Sequence, residues 1–243
     1  MTDQPVVTSQ PFSVVYEDNH LIVVNKASGV LVQADKSGDA ALEELLKQYI
    51  KDKYGKPGEV FLGVAHRLDR RVSGLVVFAR TSKALVRLNE LFKQRDIEKV
   101  YRAVTANQPP HESDTLVHWL TRNEKNNTAK AHPAEVKNSL RAELTYEMIQ
   151  RSEKYKLLEI NLLTGRHHQI RAQLQAIQCP IVGDLKYGYP RSSPDGSIFL
   201  HSYRTTFVHP VQKEEIVLQA PMPELWAKFG FVGGLGFSGD SIL

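Results

Sequence analysis

Short apolar runs rich in β-branched residues recur along this chain, and polar or turn-forming residues separate them. Most are too short for helices, and each can bury one or both faces in a sheet. Because many neighbouring runs can pair as antiparallel hairpins, the pattern predicts an α+β fold. The predicted strands are Ser13–Val15, Leu21–Asn25, Val60–Val64, Gly74–Ala79, Ile97–Thr105, Arg141–Ile149, Tyr155–Leu163, Ile198–Val208 and Glu215–Leu218.

Three stretches instead show signs of helices, through the 3.6-residue spacing of apolar side chains or through capping residues. The first spans Asp39–Lys53. The second begins with Thr81 or Ser82 as its N-cap, and the third opens just after Gly165 and continues to about Ile177. Strands therefore outnumber helices in the predicted fold.

The distribution of charge divides the chain into a basic centre and two acidic ends. Residues 66–213 contain 24 Lys and Arg against 14 Asp and Glu, a net charge of +10, together with eight of the nine histidines. Residues 1–65 and 214–243 each have a net charge of −3. A basic block of this size is typical of a protein that binds a polyanion, most often a nucleic acid, although an ordinary solvated surface has the same composition.

Composition excludes several other classes of protein. An apolar content of 42% is too high for a disordered chain. No apolar run reaches about 18 residues, so no membrane-spanning helix is expected. The N-terminus lacks the basic start and apolar stretch of a secretory signal, and the single cysteine, Cys179, cannot form an internal disulfide. We therefore expect a cytoplasmic protein.

Motifs for metals and nucleotides do not explain this chain. Gly234–Gly239 matches the pattern G-x-G-x-x-G, but only four residues follow it, too few for the helix whose N-terminus would hold a phosphate. His167 and His168 are adjacent, and on a helix they would diverge by about 100°. They are therefore not expected to ligate one metal, and we predict no metal site.

Asp69 lies within two residues of Arg67, Arg70 and Arg71, between two predicted strands. A solvated loop with a weak surface ion pair would have the same sequence. If the base of the loop is buried, however, the carboxylate needs a cationic partner. A carboxylate held ionised in a cleft can act as a nucleophile or as a base.

The segment Thr164–Leu174 places two arginines and two histidines around the start of the third predicted helix. Backbone N–H groups at a helix N-terminus, together with Arg166, suit a phosphate group. The alternative is a helix whose basic first turn has no ligand.

Three blocks of sequence, in this order, carry a resemblance to a known family. They are Tyr16–Gly29, His66–Asp69 followed by Ser73-Gly74, and Thr164–Arg171. Through them the chain resembles the RluA family of RNA pseudouridine synthases. Weaker similarity, which extends the match over about residues 13–223, is found in Lys99–Ala103, Gly183–Tyr187, Leu200-His201 and His209-Pro210.

The resemblance implies the pseudouridine synthase fold, a mixed and mainly antiparallel sheet with helices and loops around a central RNA-binding cleft. It divides the chain into an N-terminal extension (1–12), a catalytic domain (13–223) and a Gly-rich tail (224–243). Within the catalytic domain, the polar stretch 106–140 is expected to be an irregular surface excursion. Because the match begins near residue 13, no N-terminal RNA-binding domain of the S4 type is expected.

The resemblance also implies the catalytic residues. Asp69 would be the essential aspartate that acts on the target uridine, and Arg171 would pair with Asp69 and hold it ionised. Tyr101 would stack on the flipped base and help to deprotonate its C5 atom.

Four further residues are expected to contact the substrate. Arg67 would occupy the space that the flipped base leaves in the RNA, and Leu200 would line the pocket beside the uracil. His66 and Arg166 belong to the same matching blocks. His167, in contrast, stands where the family usually has a small or hydroxyl residue.

The implied reaction is the isomerisation of uridine to pseudouridine in ribosomal or transfer RNA, by a monomer that binds neither DNA nor a membrane. The reaction needs no cofactor, because uracil is only detached from C1′, rotated and rejoined through C5. Two alternatives are a non-catalytic RNA-binding or assembly protein that retains the fold, and a hydrolase of a glycosidic bond. A hydrolase ordinarily needs two carboxylates flanking that bond, and the Asp69 block supplies one.

Overall fold

Every strand of the described residues belongs to one mixed sheet. The computed structural model describes residues 10–35 and 38–231. The strands are β1 (Phe12–Glu17), β2 (Leu21–Lys26), β3 (Gly63–Val64), β4 (Ser73–Ala79), β5 (Ile97–Thr105), β6 (Ser113–Asn123), β7 (Thr128–His132), β8 (Leu140–Arg151), β9 (Lys156–Leu162), β10 (Leu200–Val208) and β11 (Glu215–Gln219). Their order is β1-β2-β4-β10-β5-β9-β8-β6-β7, with β3 paired to β4 and β11 to β10. The predicted α+β class is confirmed.

Three α-helices pack onto this sheet: α1 (Leu42–Tyr54), α2 (Ser82–Gln94) and α3 (Gln169–Ala176). The predicted N-cap of α2 is confirmed, because Thr81 Oγ1 accepts a hydrogen bond from the Ala84 backbone N–H at 3.2 Å. None of the helices in the described part of the chain is long and apolar enough to cross a membrane.

Successive residues of β2 are buried on opposite faces of the sheet, because side chains alternate along a strand. Ile22 and Val24 belong to the larger hydrophobic core, on the face that α1 covers. Leu21 and Val23 belong to a smaller core on the other face, which α2 covers. Burial on both faces explains why this strand is an unbroken apolar run.

Strand β10 joins the two halves of the sheet. It pairs in parallel with β4, where Ser202 lies opposite Gly74, and antiparallel with β5. Gly74 has a φ of +113°, and a Cβ atom there would lie 2.4 Å from the Ser202 carbonyl oxygen. Only glycine fits this approach. As a result, the loop that precedes β4 is brought next to β5.

The stretch 106–140 corrects the prediction of an irregular excursion. It contains β6 and β7, which form a hairpin that extends the sheet at one edge through pairing with β8. Leu116, Leu120 and Ala129 are buried, whereas most other side chains of the hairpin keep contact with solvent. The prediction failed because an edge hairpin needs few apolar residues and is therefore polar in sequence.

The start of the predicted C-terminal tail is part of the core. Glu224–Phe229 forms a short 3-10 helix, and the buried Trp226 stacks on Phe199 with ring centroids 5.4 Å apart. The rest of the tail, 232–243 with its G-x-G-x-x-G match, lies outside the described residues, as do residues 1–9 of the N-terminal extension.

Candidate active site

A cleft of about 1460 Å³ opens beside the central strands, and the three blocks of the sequence resemblance meet there. Among the described residues that line it are ten Lys and Arg and five Asp and Glu. Part of the basic centre of the sequence therefore lies around one concave surface. Such a surface attracts a polyanion.

Asp69 lies in this cleft on the loop between β3 and β4, with its side chain 31% exposed. Buried Leu68 and Val72 anchor the loop on either side of it. Arg171 Nη1 donates a hydrogen bond to Asp69 Oδ2 at 2.7 Å, and His168 Nε2 lies 3.3 Å from the same oxygen. Burial alone would raise the pKa of the Asp69 carboxyl, but His168 and Arg171 outweigh it and lower this pKa well below its usual value. Asp69 is therefore an ionised carboxylate.

Arg171 is itself held by a second carboxylate. Its Nε and Nη2 atoms donate to the two oxygens of Asp184 at 2.7 and 2.8 Å. Asp184 is 1% exposed, and Arg171 is 5% exposed. This bidentate contact fixes the plane of the guanidinium group, so that Nη1 remains directed at Asp69.

Tyr101 extends into the same cleft from β5, where it lies opposite Ser202 of β10. Its side chain belongs to the larger core, and the residue is only 8% exposed. Burial and the charge of Asp69 raise the pKa of Tyr101 to about 12, although a hydrogen bond with Ser202 acts in the opposite direction. The phenol is therefore protonated at neutral pH.

The comparison with known proteins agrees with this constellation. A sequence profile of the family described as RNA pseudouridylate synthase matches residues 20–176, which include Asp69, Tyr101 and Arg171. The chain belongs to this family. The resemblance inferred from the three sequence blocks is thereby confirmed.

The curated relatives of this chain are named for different RNAs. Ribosomal large subunit pseudouridine synthase C of Vibrio vulnificus is 29% identical over 217 residues, covering 87% of this chain and 66% of that protein. The tRNA pseudouridine synthase C of Vibrio parahaemolyticus is 28% identical over 231 residues, covering 88% of this chain and 91% of that protein. The chain thus spans just under two thirds of the large-subunit synthase.

A solved structure of the synthase family has the same fold. Human RNA Pseudouridylate Synthase Domain Containing 4 superposes with a TM-score of 0.74 at 23% sequence identity, covering 88% of this chain and 90% of the human chain. The predicted pseudouridine synthase fold is confirmed by this similarity.

The four substrate-contact residues predicted for this family member do not share one environment. Arg67 is exposed and lines the cleft, and Arg166 also lines it while its Nε donates to the Arg141 carbonyl oxygen at 3.0 Å. His66 lines the cleft but accepts the Val77 backbone N–H at 2.9 Å, and burial lowers its pKa to about 3. His66 is thus a neutral ring that fastens the loop between β3 and β4 to β4.

Leu200, predicted to lie beside the uracil, is not among the described residues that line the cleft. It is 5% exposed and belongs to the larger core, whereas Ile198, two residues earlier, lines the cleft. The reason is that β10 begins at Leu200, which lies opposite Ala103 and is enclosed by the sheet.

The third helix begins later than predicted, so the backbone N–H groups around Arg166 belong to a turn and not to the first turn of a helix. The segment after Gly165 is a turn, and α3 starts at Gln169. Gln169 Oε1 accepts hydrogen bonds from the Arg166 backbone N–H at 2.9 Å and from Thr164 Oγ1 at 2.8 Å. The side chain of Gln169 therefore accepts from one of the backbone N–H groups that were expected to be available to a phosphate.

His167 and His168 do not diverge as they would on a helix. His168 precedes α3 with a φ of +51°, and the two rings stack with centroids 3.9 Å apart. Nevertheless, the described residues contain no group of three or more His, Cys, Asp or Glu arranged to hold a metal ion.

Lys26 is a buried residue of the site region that sequence reasoning left without a role. It is 0% exposed, and its Nζ donates to the carbonyl oxygens of Ala27 and Val30 at 2.9 Å and of Arg70 at 3.2 Å. Burial lowers the pKa of Lys26 to about 7, although the charge of Asp69 acts in the opposite direction. Lys26 follows Ile22 and Val24 at a spacing of two, and that alternation was the available signal for its inward orientation.

We expect Lys26→Met to lower the free energy of unfolding by about 3 kcal/mol, because it leaves three partly buried carbonyl groups without their donor. Urea unfolding followed by circular dichroism measures this change. Lys51→Met, at an exposed position of α1, is the matched control and should change stability by less than about 0.5 kcal/mol. Equal stability losses in the two variants would contradict the role of Lys26 in anchoring the Asp69 loop.

Proposed function

We propose that this chain converts specific uridines in RNA to pseudouridine, with Asp69 as the residue that acts on the target nucleotide. The observation that supports this most directly is the Asp69 carboxylate, which is ionised by its contact with Arg171 and partly exposed in a basic cleft. A carboxylate in this state is ready to act as a nucleophile or as a base.

In the proposed reaction, the N1–C1′ bond breaks and its electron pair remains on the uracil. The base rotates, a bond forms between C5 and C1′, C5 loses its proton and N1 gains one. Asp69 either attacks C1′, forming a C1′–O bond that breaks when C5 bonds to C1′, or removes the 2′ proton to give a glycal and returns that proton as C5 bonds to C1′; both routes use the same ionised carboxylate. Bonds and protons balance within the nucleotide, so the proposal includes no cofactor.

Two other residues have proposed roles in this reaction. Tyr101, whose phenol is protonated and lies in the cleft near Asp69, would stack on the extruded base and assist the loss of the C5 proton. Arg67 is exposed and would fill the gap that the base leaves in the RNA. Extrusion costs a few kcal/mol, which contacts between the cleft and the phosphates would offset.

The proposed substrate is ribosomal or transfer RNA rather than DNA, because the matched relatives are named for these two RNAs. We propose that the chain acts as a monomer in the cytoplasm. Residues of one chain form both the cleft and the contacts of Asp69.

A glycosidic-bond hydrolase is less compatible with the geometry. Such an enzyme ordinarily uses two carboxylates that both reach the bond. The carboxylate joined to Asp69 through Arg171 is Asp184, which is buried and has both oxygens engaged by Arg171. It is therefore withdrawn from the substrate.

The experiment that tests the proposal is pseudouridine mapping by carbodiimide labelling and primer extension. Ribosomal and transfer RNA from cells with and without this protein would be compared, and a signal that disappears on deletion should return with the wild-type chain. If no position in either RNA changes, the non-catalytic RNA-binding alternative replaces the proposal.

We expect the affinity for RNA to fall steeply with salt, because binding releases counterions from the phosphates. Four or more contacts at about 0.7 to 0.9 per phosphate predict a slope of about −3 or steeper in a plot of log K against log salt concentration. Fluorescence anisotropy with a labelled RNA between about 50 and 300 mM KCl measures this slope. A slope near zero would contradict RNA binding by the basic cleft.

A further inference from the structure

His168 is a second partner of Asp69 that the proposed reaction does not use. Its side chain is 4% exposed. Nε2 lies 3.3 Å from Asp69 Oδ2 and 3.0 Å from Arg171 Nη1, and Nδ1 lies 2.9 Å from the Tyr187 hydroxyl. Both ring nitrogens therefore have neighbours within the protein.

The partners of the Tyr187 hydroxyl determine which nitrogen of His168 carries the hydrogen. The Tyr187 oxygen already accepts the Ala129 backbone N–H at 2.7 Å. If Tyr187 donates its own hydrogen to His168 Nδ1, then Nε2 carries a hydrogen that is directed at Asp69. In this arrangement Ala129, Tyr187, His168 and Asp69 form a continuous chain in which each hydrogen has an acceptor.

The competing arrangement distributes the hydrogen bonds differently, and it satisfies the 3.0 Å contact between Arg171 Nη1 and His168 Nε2. With the hydrogen on Nδ1, Nε2 would accept from Arg171 Nη1, and a lone pair of Nε2 would face the Asp69 carboxylate. The Tyr187 hydroxyl would then accept from both Ala129 and His168, and its own hydrogen would lose Nδ1 as acceptor. The Nε2–H form satisfies the Tyr187 hydroxyl and directs a hydrogen at Asp69, but it also places that hydrogen beside the donor Arg171 Nη1, 3.0 Å from Nε2.

The backbone also holds His168 in one place. Its φ of +51° is a left-handed conformation that costs a non-glycine residue about 1 kcal/mol or more. The ring stacks on His167 and meets the edge of Tyr187, with centroids 3.9 and 5.6 Å apart. The strained backbone thus holds the ring next to an ionised carboxylate, and strain of this kind clusters at functional sites.

We propose that His168 is a positioning residue for Asp69: it donates a hydrogen bond from Nε2 to the carboxylate, and Tyr187 fixes the tautomer that makes this possible. The inference rests on the proposed function in that Asp69 is the reacting group. Arg171 and His168 together would hold Oδ2, so that Oδ1 keeps its orientation toward the target nucleotide.

The hydrogen-bond chain also connects Asp69 to the edge of the sheet. Ala129 belongs to β7, so its N–H group links the hairpin of β6 and β7 to the reacting carboxylate through two side chains. His167, Lys26 and Tyr101 also interact electrostatically with Asp69.

The first test reads the tautomer of His168 in the protein without RNA, by long-range ¹H–¹⁵N NMR of the imidazole nitrogens. We expect a hydrogen on Nε2 in the wild-type chain, and loss of the single fixed tautomer in Tyr187→Phe. A hydrogen on Nδ1 in the wild-type chain, or an unchanged spectrum in Tyr187→Phe, would overturn the proposal.

The second test measures catalysis in His168→Gly, because glycine adopts a φ of +51° without strain. We expect the single-turnover rate of pseudouridine formation to fall about 10- to 100-fold, as is typical when a supporting hydrogen bond is lost. The dissociation constant for RNA should change less than about threefold. Imidazole added at pH 8.5 should restore the rate, whereas 1-methylimidazole, which has no N–H group at that pH, should not.

Asn138→Gly is the matched control, because Asn138 also has a left-handed backbone, with a φ of +62°, and is exposed outside the cleft. Its rate should equal that of the wild-type chain.

Equal rescue of His168→Gly by both imidazoles would mean that His168 only fills space and would overturn the proposal. If the Nε2–H tautomer is found but the wild-type chain forms no pseudouridine, the proposed function fails while the role of His168 toward Asp69 stands.

Discussion

Replacing Asp69 with asparagine is expected to lower the single-turnover rate of pseudouridine formation by about 10⁴-fold or more, because the amide can neither attack C1′ nor accept the 2′ proton. The affinity for RNA should fall less than about tenfold, since the arginines and lysines of the cleft are unchanged. Rapid-quench kinetics with a labelled RNA, together with a binding titration of the same variant, separate these two quantities.

The control for this substitution is Asp52→Asn, which removes one exposed carboxylate from α1, away from the cleft. It should leave both the rate and the affinity unchanged. Substantial turnover by Asp69→Asn would contradict the assignment of Asp69. A loss of affinity as large as the loss of rate would show instead that Asp69 serves mainly to bind RNA.

Replacing Arg171 with methionine is expected to lower the free energy of unfolding at pH 7 by about 3–5 kcal/mol, because it leaves Asp69 and Asp184 without their cation. Restoring neutrality in the double variant Arg171→Met/Asp184→Asn should recover part of this loss. Urea unfolding of the wild-type chain and of both variants measures the difference.

The effect of Arg171→Met should depend on pH in a defined direction. Because the pKa of Asp69 is lowered in the folded wild-type chain, its ionisation stabilises the fold above the unfolded value of about 4, and this stability is lost as the pH falls. The stability difference between the wild-type chain and Arg171→Met should therefore be largest near pH 7 and decrease below about pH 4.

Arg141→Met is a suitable control for the stability measurement. Arg141 pairs with Glu143 at 2.6 Å, but its side chain is 52% exposed, so its removal should cost less than about 1 kcal/mol. A stability loss in Arg171→Met no larger than that in Arg141→Met would contradict the view that the buried guanidinium holds two carboxylates together.

Local sequence signals predicted those parts of the fold that depend on neighbours in the chain. The strand Ile97–Thr105 matches β5 at both ends, and Thr81 caps α2 as its hydroxyl predicted. The strand expected over Val60–Val64 is shorter, at Gly63–Val64. In each correct case, alternation or capping chemistry acts within a few residues.

The parts that sequence reasoning missed depend on contacts between distant residues. The start of α3 moves from Gly165 to Gln169 because the Gln169 side chain bonds the turn before it. Asp184 orients Arg171 from 13 residues away, and Tyr187 meets Ala129 from 58 residues away. The spacing of apolar residues within one segment does not reveal contacts with a distant segment. The pairing of Asp69 with Arg171 was predicted only through the family resemblance.

The place of β10 between β4 and β5 has a consequence for the order in which the protein forms during synthesis. During translation, the ribosome releases Asp69, Tyr101 and Arg171 before Leu200, the first residue of β10. At that stage β10, which joins β4 to β5, has not yet been made. Pairings between distant segments form slowly and only when both partners exist. A nascent chain that stops before β10 therefore carries the reactive side chains without the geometry that gives them a function.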